Sequence, residues 1–147
     1  MTSGQTLAER AGEVMGCLAD LRRTEEFLGQ LHADVRWFIP GAWPHISGVK
    51  DFDQIAVFMR KVFPAGFPDG IEVVSPRVHQ SGATVVVEFT GVARTSKSRS
   101  YENSYCFVLE FEGDRVIEIR EYMDTLYADR VLHQEATVPT GEQGSAT

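Results

Sequence analysis

A carboxylate on an otherwise apolar strand face is the first sign of chemistry in this sequence. From Arg115 to Met123 apolar and polar residues alternate, which is the period of a β-strand. Ile117, Ile119, Glu121 and Met123 share one face, and Val116, Glu118, Arg120 and Tyr122 share the other. Glu121 is the only charge on the first face, and it has two readings. Inside a pocket, desolvation raises its pKa towards neutrality and equips it as a general acid or base. At the sheet end, it pairs with an arginine instead. The preceding strand repeats the pattern. Tyr101, Asn103, Tyr105, Phe107, Leu109 and Phe111 alternate with Glu102, Ser104, Cys106, Val108, Glu110 and Glu112. The aromatic set is the inner one, because burying the other would bury three carboxylates. Asn103 either orients a ligand carbonyl or a water, or is satisfied by nearby backbone. The phenols of Tyr101 and Tyr105 need partners, which points to a partly wet cavity. Phe89 on a third strand and Met123 beside Glu121 join the residues that would hold an apolar skeleton. Trp37, Trp43 and His45 are candidates for an aromatic mouth, with His45 as an alternative base.

The elements that must position these residues are legible in the periodicity. Leu7, Ala11, Val14, Met15 and Leu18 predict a helix over residues 5 to 18, and a second is expected from Asp20 to Leu31. Val35 to Pro40 reads as a strand, and Gly41 to Gly48 as a loop. Asp51 and Gln54 resemble a capping box for a third helix, which Pro64 is expected to end. From Ile71 the period changes to two. Strands are predicted at Ile71–Gln80, Ala83–Arg94, Tyr101–Phe111 and Arg115–Met123, with turns at Ser81-Gly82 and Gly113-Asp114. The basic stretch Thr95 to Ser100 reads as a solvated hairpin tip. Leu126 to Leu132 predicts a short last helix. This order implies an α+β domain over residues 1–132, with three to four helices gathered on one face of a curved antiparallel or mixed sheet. Residues 133–147 are expected to form a disordered tail.

Composition narrows the partners. The chain has 147 residues, one domain's worth, with 14 basic against 21 acidic side chains and a net charge of −7. That sign disfavours nucleic acid, whose phosphates are met by Lys and Arg. No apolar run is long enough to span a bilayer, so no membrane association is expected. Met1-Thr2-Ser3-Gly4 lacks the pattern of a secretory leader, and a cytoplasmic location is expected. Cys17 and Cys106 read as separate thiols. His32, His45, His79 and His133 show no spacing of a helical metal site, and no phosphate loop or dinucleotide fingerprint is present. Cofactor-free and metal-free chemistry, or simple binding, is the expectation.

Several stretches carry a family resemblance. Tyr101-Glu102-Asn103-Ser104-Tyr105, the Gly-Asp hairpin and Val116 to Thr125 resemble the SnoaL-like branch of the nuclear transport factor 2 superfamily. Ala33-Asp34-Val35-Arg36-Trp37, Pro40-Gly41 and Ser47-Gly48 ahead of a helix match the same pattern, and the likeness covers residues 7 to 132. It implies a cone of curved sheet and helices around an apolar pocket, often assembled as a homodimer. Relatives include polyketide cyclases, ketosteroid isomerases, limonene epoxide hydrolases, scytalone dehydratases and non-catalytic binding modules. Arg120-Glu121-Tyr122-Met123-Asp124 matches the hydrolases' Arg-Asp-Tyr-Phe-Asp, so the resemblance puts Glu121 in an acid's place. The hydrolases' earlier Arg-x-Asp pair is replaced by Phe89-Thr90-Gly91. In the cyclases the acid/base is an aspartate at the end of the final strand, for which Asp124 is the match. Ile39-Pro40 stands where the isomerases carry Asp-Pro, which argues against a ketosteroid isomerase.

Two readings follow. In one, the protein is an enzyme acting without cofactor on a small apolar carbonyl or cyclic compound, with Glu121 or Asp124 moving the proton. In the other, the same cavity binds a small apolar molecule and does no chemistry. A sheet-to-sheet homodimer is expected from Val86, Val92, Cys106 and Val108 on the outer face.

Overall fold

A reciprocal cap starts the first helix. Thr6 Oγ1 accepts the Glu9 N–H at 3.0 Å, and the Glu9 carboxylate accepts the Thr6 N–H at 2.9 Å, which satisfies two of the donors that a helix start leaves bare. α1 (Leu7–Ala19) then buries Ala11, Val14, Met15 and Leu18. The protein is described from a computed structural model covering residues 4–133. The expected tail from Gln134 onward lies outside the described residues.

The second predicted helix is shorter than expected. A 3₁₀ turn, Leu21–Arg23, leads into α2 (Thr24–Gly29), and Leu31 already opens β1 (Leu31–Ile39). Sheet pairing outcompetes the helical stripe here. Leu31 lies opposite Val116, and the Val116 N–H donates to the Gln30 carbonyl at 3.0 Å. The expected loop after Ile39 holds until Gly48, where a three-residue strand, β2 (Gly48–Lys50), returns antiparallel to β1. Asp51 and Gln54 do form a capping box, starting α3 (Phe52–Val57). The helical run does not stop at Pro64. It widens into a π turn, Phe58–Val62, and continues as α4 (Phe63–Gly66). Pro64 falls in the first turn of that segment, where a missing N–H breaks little.

The remaining elements are β3 (Glu72–Ser81), β4 (Thr84–Arg94), β5 (Ser100–Glu112), β6 (Arg115–Met123) and α5 (Thr125–Leu132). Gly82 and Gly113 take φ of 62° and 65° in the two hairpin turns, a conformation that side chains resist. The six strands lie in the order β2-β1-β6-β5-β4-β3, with β1 and β6 parallel and the other pairs antiparallel. Register shifts in β3 and between β5 and β6 accompany the curvature of this open sheet. One of them corrects the strand parity. Glu110 pairs with Glu118 but Phe111 pairs with Val116, so Ile117 is an extra residue. Val116 is therefore fully buried with Phe111 rather than on the outer face. From Ile119 onward the parity is as read. The helices cover the concave face, and no helix among the described residues is long and apolar enough to cross a membrane.

Candidate functional site

Between the inner sheet face and the helices lies a cavity of about 430 Å³. Trp37, Phe89, Tyr105 and Phe107 line it from the strands, Met15, Phe58 and Phe63 from the helices, and Phe67 from just beyond α4. The π turn places Phe58, Met59 and Val62 on this wall. Stacked rings run along the floor, with Phe89 5.2 Å from Tyr105 and 5.8 Å from Phe107.

Glu121 lies inside. Its register partner on β5 is Phe107, and only 7% of it is exposed. Its Oε1 accepts the indole N–H of Trp37 at 3.0 Å. Burial pushes its pKa up to about 7, opposed by the Trp37 hydrogen bond and by the charge of Lys50. Lys50 lies opposite Trp37 on β2. Its Nζ donates to the Ile46 carbonyl at 2.8 Å and sits 5.1 Å from the centre of the Phe58 ring. Burial depresses its pKa, and Glu121 counteracts this. Of the two readings of Glu121, the geometry is that of the pocket carboxylate; its hydrogen-bond donor is an indole, not an arginine.

A second polar group faces the same space. The hydroxyls of Tyr101 and Tyr105 are 2.6 Å apart, and Asn103 Nδ2 donates to Tyr101 at 2.9 Å. Asn103 also donates to the Asp124 carbonyl at 3.1 Å and accepts the Asp124 N–H at 3.3 Å. Asn103 thus stands behind the tyrosines, tied to backbone, and does not line the cavity. Either phenol can donate in this pair; with Tyr101 donating, the Tyr105 O–H is left for a ligand. Burial pushes Tyr101 up to about 12 and raises Tyr105 as well, so both remain protonated donors at neutral pH.

Asp124 is not part of the cavity wall. It is exposed and caps α5, with Oδ1 accepting the Tyr127 N–H at 3.0 Å. The turn from strand into helix aims it at that cap. His45 is also outside. It is exposed, in a left-handed conformation (φ 66°), within a turn closed by Ile46 and Ser47 N–H groups on the Trp43 carbonyl. Trp37, Trp43, Phe89, Tyr101, Tyr105, Glu121 and Met123 do share the cavity. The expected solvated tip at Thr95 to Ser100 does expose Ser96, Lys97, Ser98 and Ser100, but it is also anchored to the helices. Thr95 is 4% exposed, the Ser96 N–H donates to the Gly66 carbonyl at 3.0 Å, and Arg99 donates to the Val131 carbonyl at 3.1 Å. Ser96 reaches the cavity rim.

Lys61 and His133 line the cavity and Lys50 acts on Glu121 by its charge; the sequence singled out none of the three. Lys50 sits on a strand too short for a periodic signal. His133 follows α5 and lines the cavity beside Trp43. Among the described residues no group of three His, Cys, Asp or Glu side chains gathers as a metal site.

A family model described as the SnoaL-like domain matches residues 19–119. No curated protein matches the chain. Among solved structures, a candidate isomerase from Bacillus subtilis superposes with a TM-score of 0.74 at 17% identity, over 86% of this chain and 95% of that one. A candidate SnoaL-like polyketide cyclase from Jannaschia sp. CCS1 gives 0.69 at 16% identity, over 92% and 100%. TerC, co-crystallised with polyporic acid, gives 0.67 at 22% identity, over 87% and 95%. At these identities the similarity is one of fold.

Proposed function

The chain belongs to the SnoaL-like domain family, and from that premise we propose that it is a cofactor-free enzyme acting by acid/base chemistry on a small apolar carbonyl or cyclic compound. The observation that carries the reading is Glu121, a carboxyl buried in an apolar cavity with a pKa near 7. A base of that strength is matched to proton transfer at neutral pH. Its carboxylate takes a proton from the carbon beside a carbonyl. The electron pair moves onto the carbonyl oxygen, and the Tyr105 O–H, backed by Tyr101 and Asn103, donates to that oxygen. The protonated Glu121 then returns its proton to the substrate skeleton. The aromatic walls supply the contacts for the ring. TerC, of the same fold, was co-crystallised with polyporic acid, which supports a small organic ligand.

Deuterium uptake beside the carbonyl of 1-tetralone in D₂O, followed by NMR, tests the chemistry. The parent is expected to accelerate uptake and Glu121→Gln to lose that acceleration. Binding of the ketone without acceleration would favour the alternative, a small-molecule binding module of the same fold.

The half-buried Val86, Val92, Cys106 and Val108 on the outer face support a homodimer through the sheet. Sedimentation at micromolar concentration checks it, and a monomer would reject it. A cytoplasmic setting completes this reading.

A further inference from the structure

The mouth of the cavity carries a second titratable group that the proposed chemistry does not use. His133 lines the cavity, with about half of its side chain (51%) exposed. Its Nδ1 lies 3.0 Å from Asp129 Oδ1, one helical turn back on α5. The same carboxylate oxygen accepts the Trp43 indole N–H at 2.9 Å, and the indole nitrogen is also 3.3 Å from His133 Nδ1. Trp43 itself is 9% exposed, and its ring centre is 5.6 Å from the imidazole. The tautomer follows from these distances. Two lone pairs do not settle 3.0 Å apart, so Nδ1 carries the hydrogen and donates to Asp129. The indole hydrogen goes to the nearer carboxylate oxygen. In the neutral ring Nε2 is then an acceptor, and among the described residues nothing else engages it. A histidine whose Nδ1–H is held by a carboxylate is oriented to work through Nε2. Lys61 and Ser96 complete the polar part of this rim, and Arg99 packs against the end of α5.

We propose that His133 Nε2 accepts a hydrogen bond from a hydroxyl on the outer end of the ligand, with Asp129 as its positioning residue. The ligand is then two-ended: an apolar ring body, one oxygen at the Glu121 and tyrosine end, and a phenolic or enolic hydroxyl at the mouth. This rests on the cavity being the ligand site, as argued above.

The test uses probes that differ only in the second hydroxyl. 2-Naphthol is compared with 2,6-dihydroxynaphthalene, and 4-phenylphenol with 4,4′-dihydroxybiphenyl, by fluorescence titration against the full chain. At least one diol is expected to bind about tenfold more tightly than its mono-ol. In His133→Phe that gain disappears, so that each diol binds no more tightly than its mono-ol. In Asp129→Asn the gain shrinks, and ¹⁵N spectra show the imidazole no longer fixed as the Nδ1–H tautomer. In the parent, the bound diol shifts the His133 Nε2 resonance and the mono-ol does not. Equal affinity of diols and mono-ols for the parent overturns the mouth assignment but leaves the cavity reading intact, as does a gain that survives in His133→Phe. Failure of all four probes to bind removes the cavity reading and this inference with it.

Discussion

Glu121 and Glu110 hang from neighbouring strands of one sheet, on opposite faces, and the two environments drive them in opposite directions. Glu121 on the concave face is buried among aromatic rings with one indole donor, and its pKa rises to about 7. Glu110 on the convex face accepts the Thr84 hydroxyl at 2.6 Å and Arg120 Nη2 at 2.9 Å. Those hydrogen bonds and the arginine's charge hold it below the usual carboxylate range. The same chemical group is thus pushed towards neutral titration on one side and held as an anion on the other. The difference is not one of sequence neighbours, since both sit in alternating strands. It is set by how many donors the fold supplies and how much water it removes.

The largest test of that contrast is catalytic. Glu121→Gln is expected to lower 1-tetralone exchange by about 10²- to 10⁴-fold, the usual contribution of a positioned acid/base. In the parent, kcat/KM rises with pH through about 7, as the carboxylate forms, and then levels. A flat profile with a slow variant would reduce Glu121 to a positioning role.

The next effect is thermodynamic. Between the ordinary pKa of 4.5 and the folded value of about 7, the folded chain keeps a proton on Glu121 that the unfolded chain has lost. Stability therefore falls as pH rises across this window, by at most about 3 kcal/mol. Denaturant melts of the parent and of Glu121→Gln from pH 4.5 to 8 should show the difference moving in the variant's favour. Parallel curves would mean that Glu121 is solvated.

A third, smaller effect probes how tightly the concave face is packed. A Cβ on Gly91 would lie 2.7 Å from Tyr105 Cε1 and 3.1 Å from Ile71 Cγ2. Tyr105 stacks on Phe89 and has little room to retreat. Gly91→Ala is expected to cost about 1–3 kcal/mol and to disturb the hydrogen bond between the two phenols. An ultraviolet titration of the tyrosines, together with denaturant melts, reads both. An unchanged melting curve would show that the floor of the cavity is loose.

The concave face was largely legible in the sequence because alternation is a local signal. It placed Tyr101, Tyr105, Phe89, Met123 and Glu121 together, and the structure has all five on the cavity wall. It failed where position depends on contacts distant in sequence or on a local irregularity. Val116 changed faces because of one inserted residue, Ile117, which no pattern of period two can reveal. Lys50 enters through a strand of three residues whose pairing with β1 places it. His133 depends on Trp43, ninety positions away in the chain. The basic tip at Thr95 to Ser100 gave no hint of the carbonyls of Gly66 and Val131 that it would meet. Asp124 was the reverse case. A short polar residue just before a helix is a capping signal, and the cap claimed it.

The smallest effect, on the convex face, decides whether the two faces are independent. Glu110→Gln removes a carboxylate from Thr84 and Arg120, and Arg120 retains Glu118 at 3.1 Å. With about a quarter of its side chain exposed (28%), the loss should be about 1 kcal/mol. Its pH signature has the opposite sign to that of Glu121. A carboxyl held below its ordinary value adds stability above that value and loses it as pH falls, so Glu110→Gln should flatten the acid limb alone. Glu121→Gln should flatten the neutral one. Since the two carboxyls share no hydrogen-bond partner, the double variant should show both changes, additive to within about 0.5 kcal/mol. Ketone exchange should be untouched by Glu110→Gln. If it drops, or if the two variants fail to add, the sheet transmits between its faces, and the proton chemistry of Glu121 is set partly from outside the cavity.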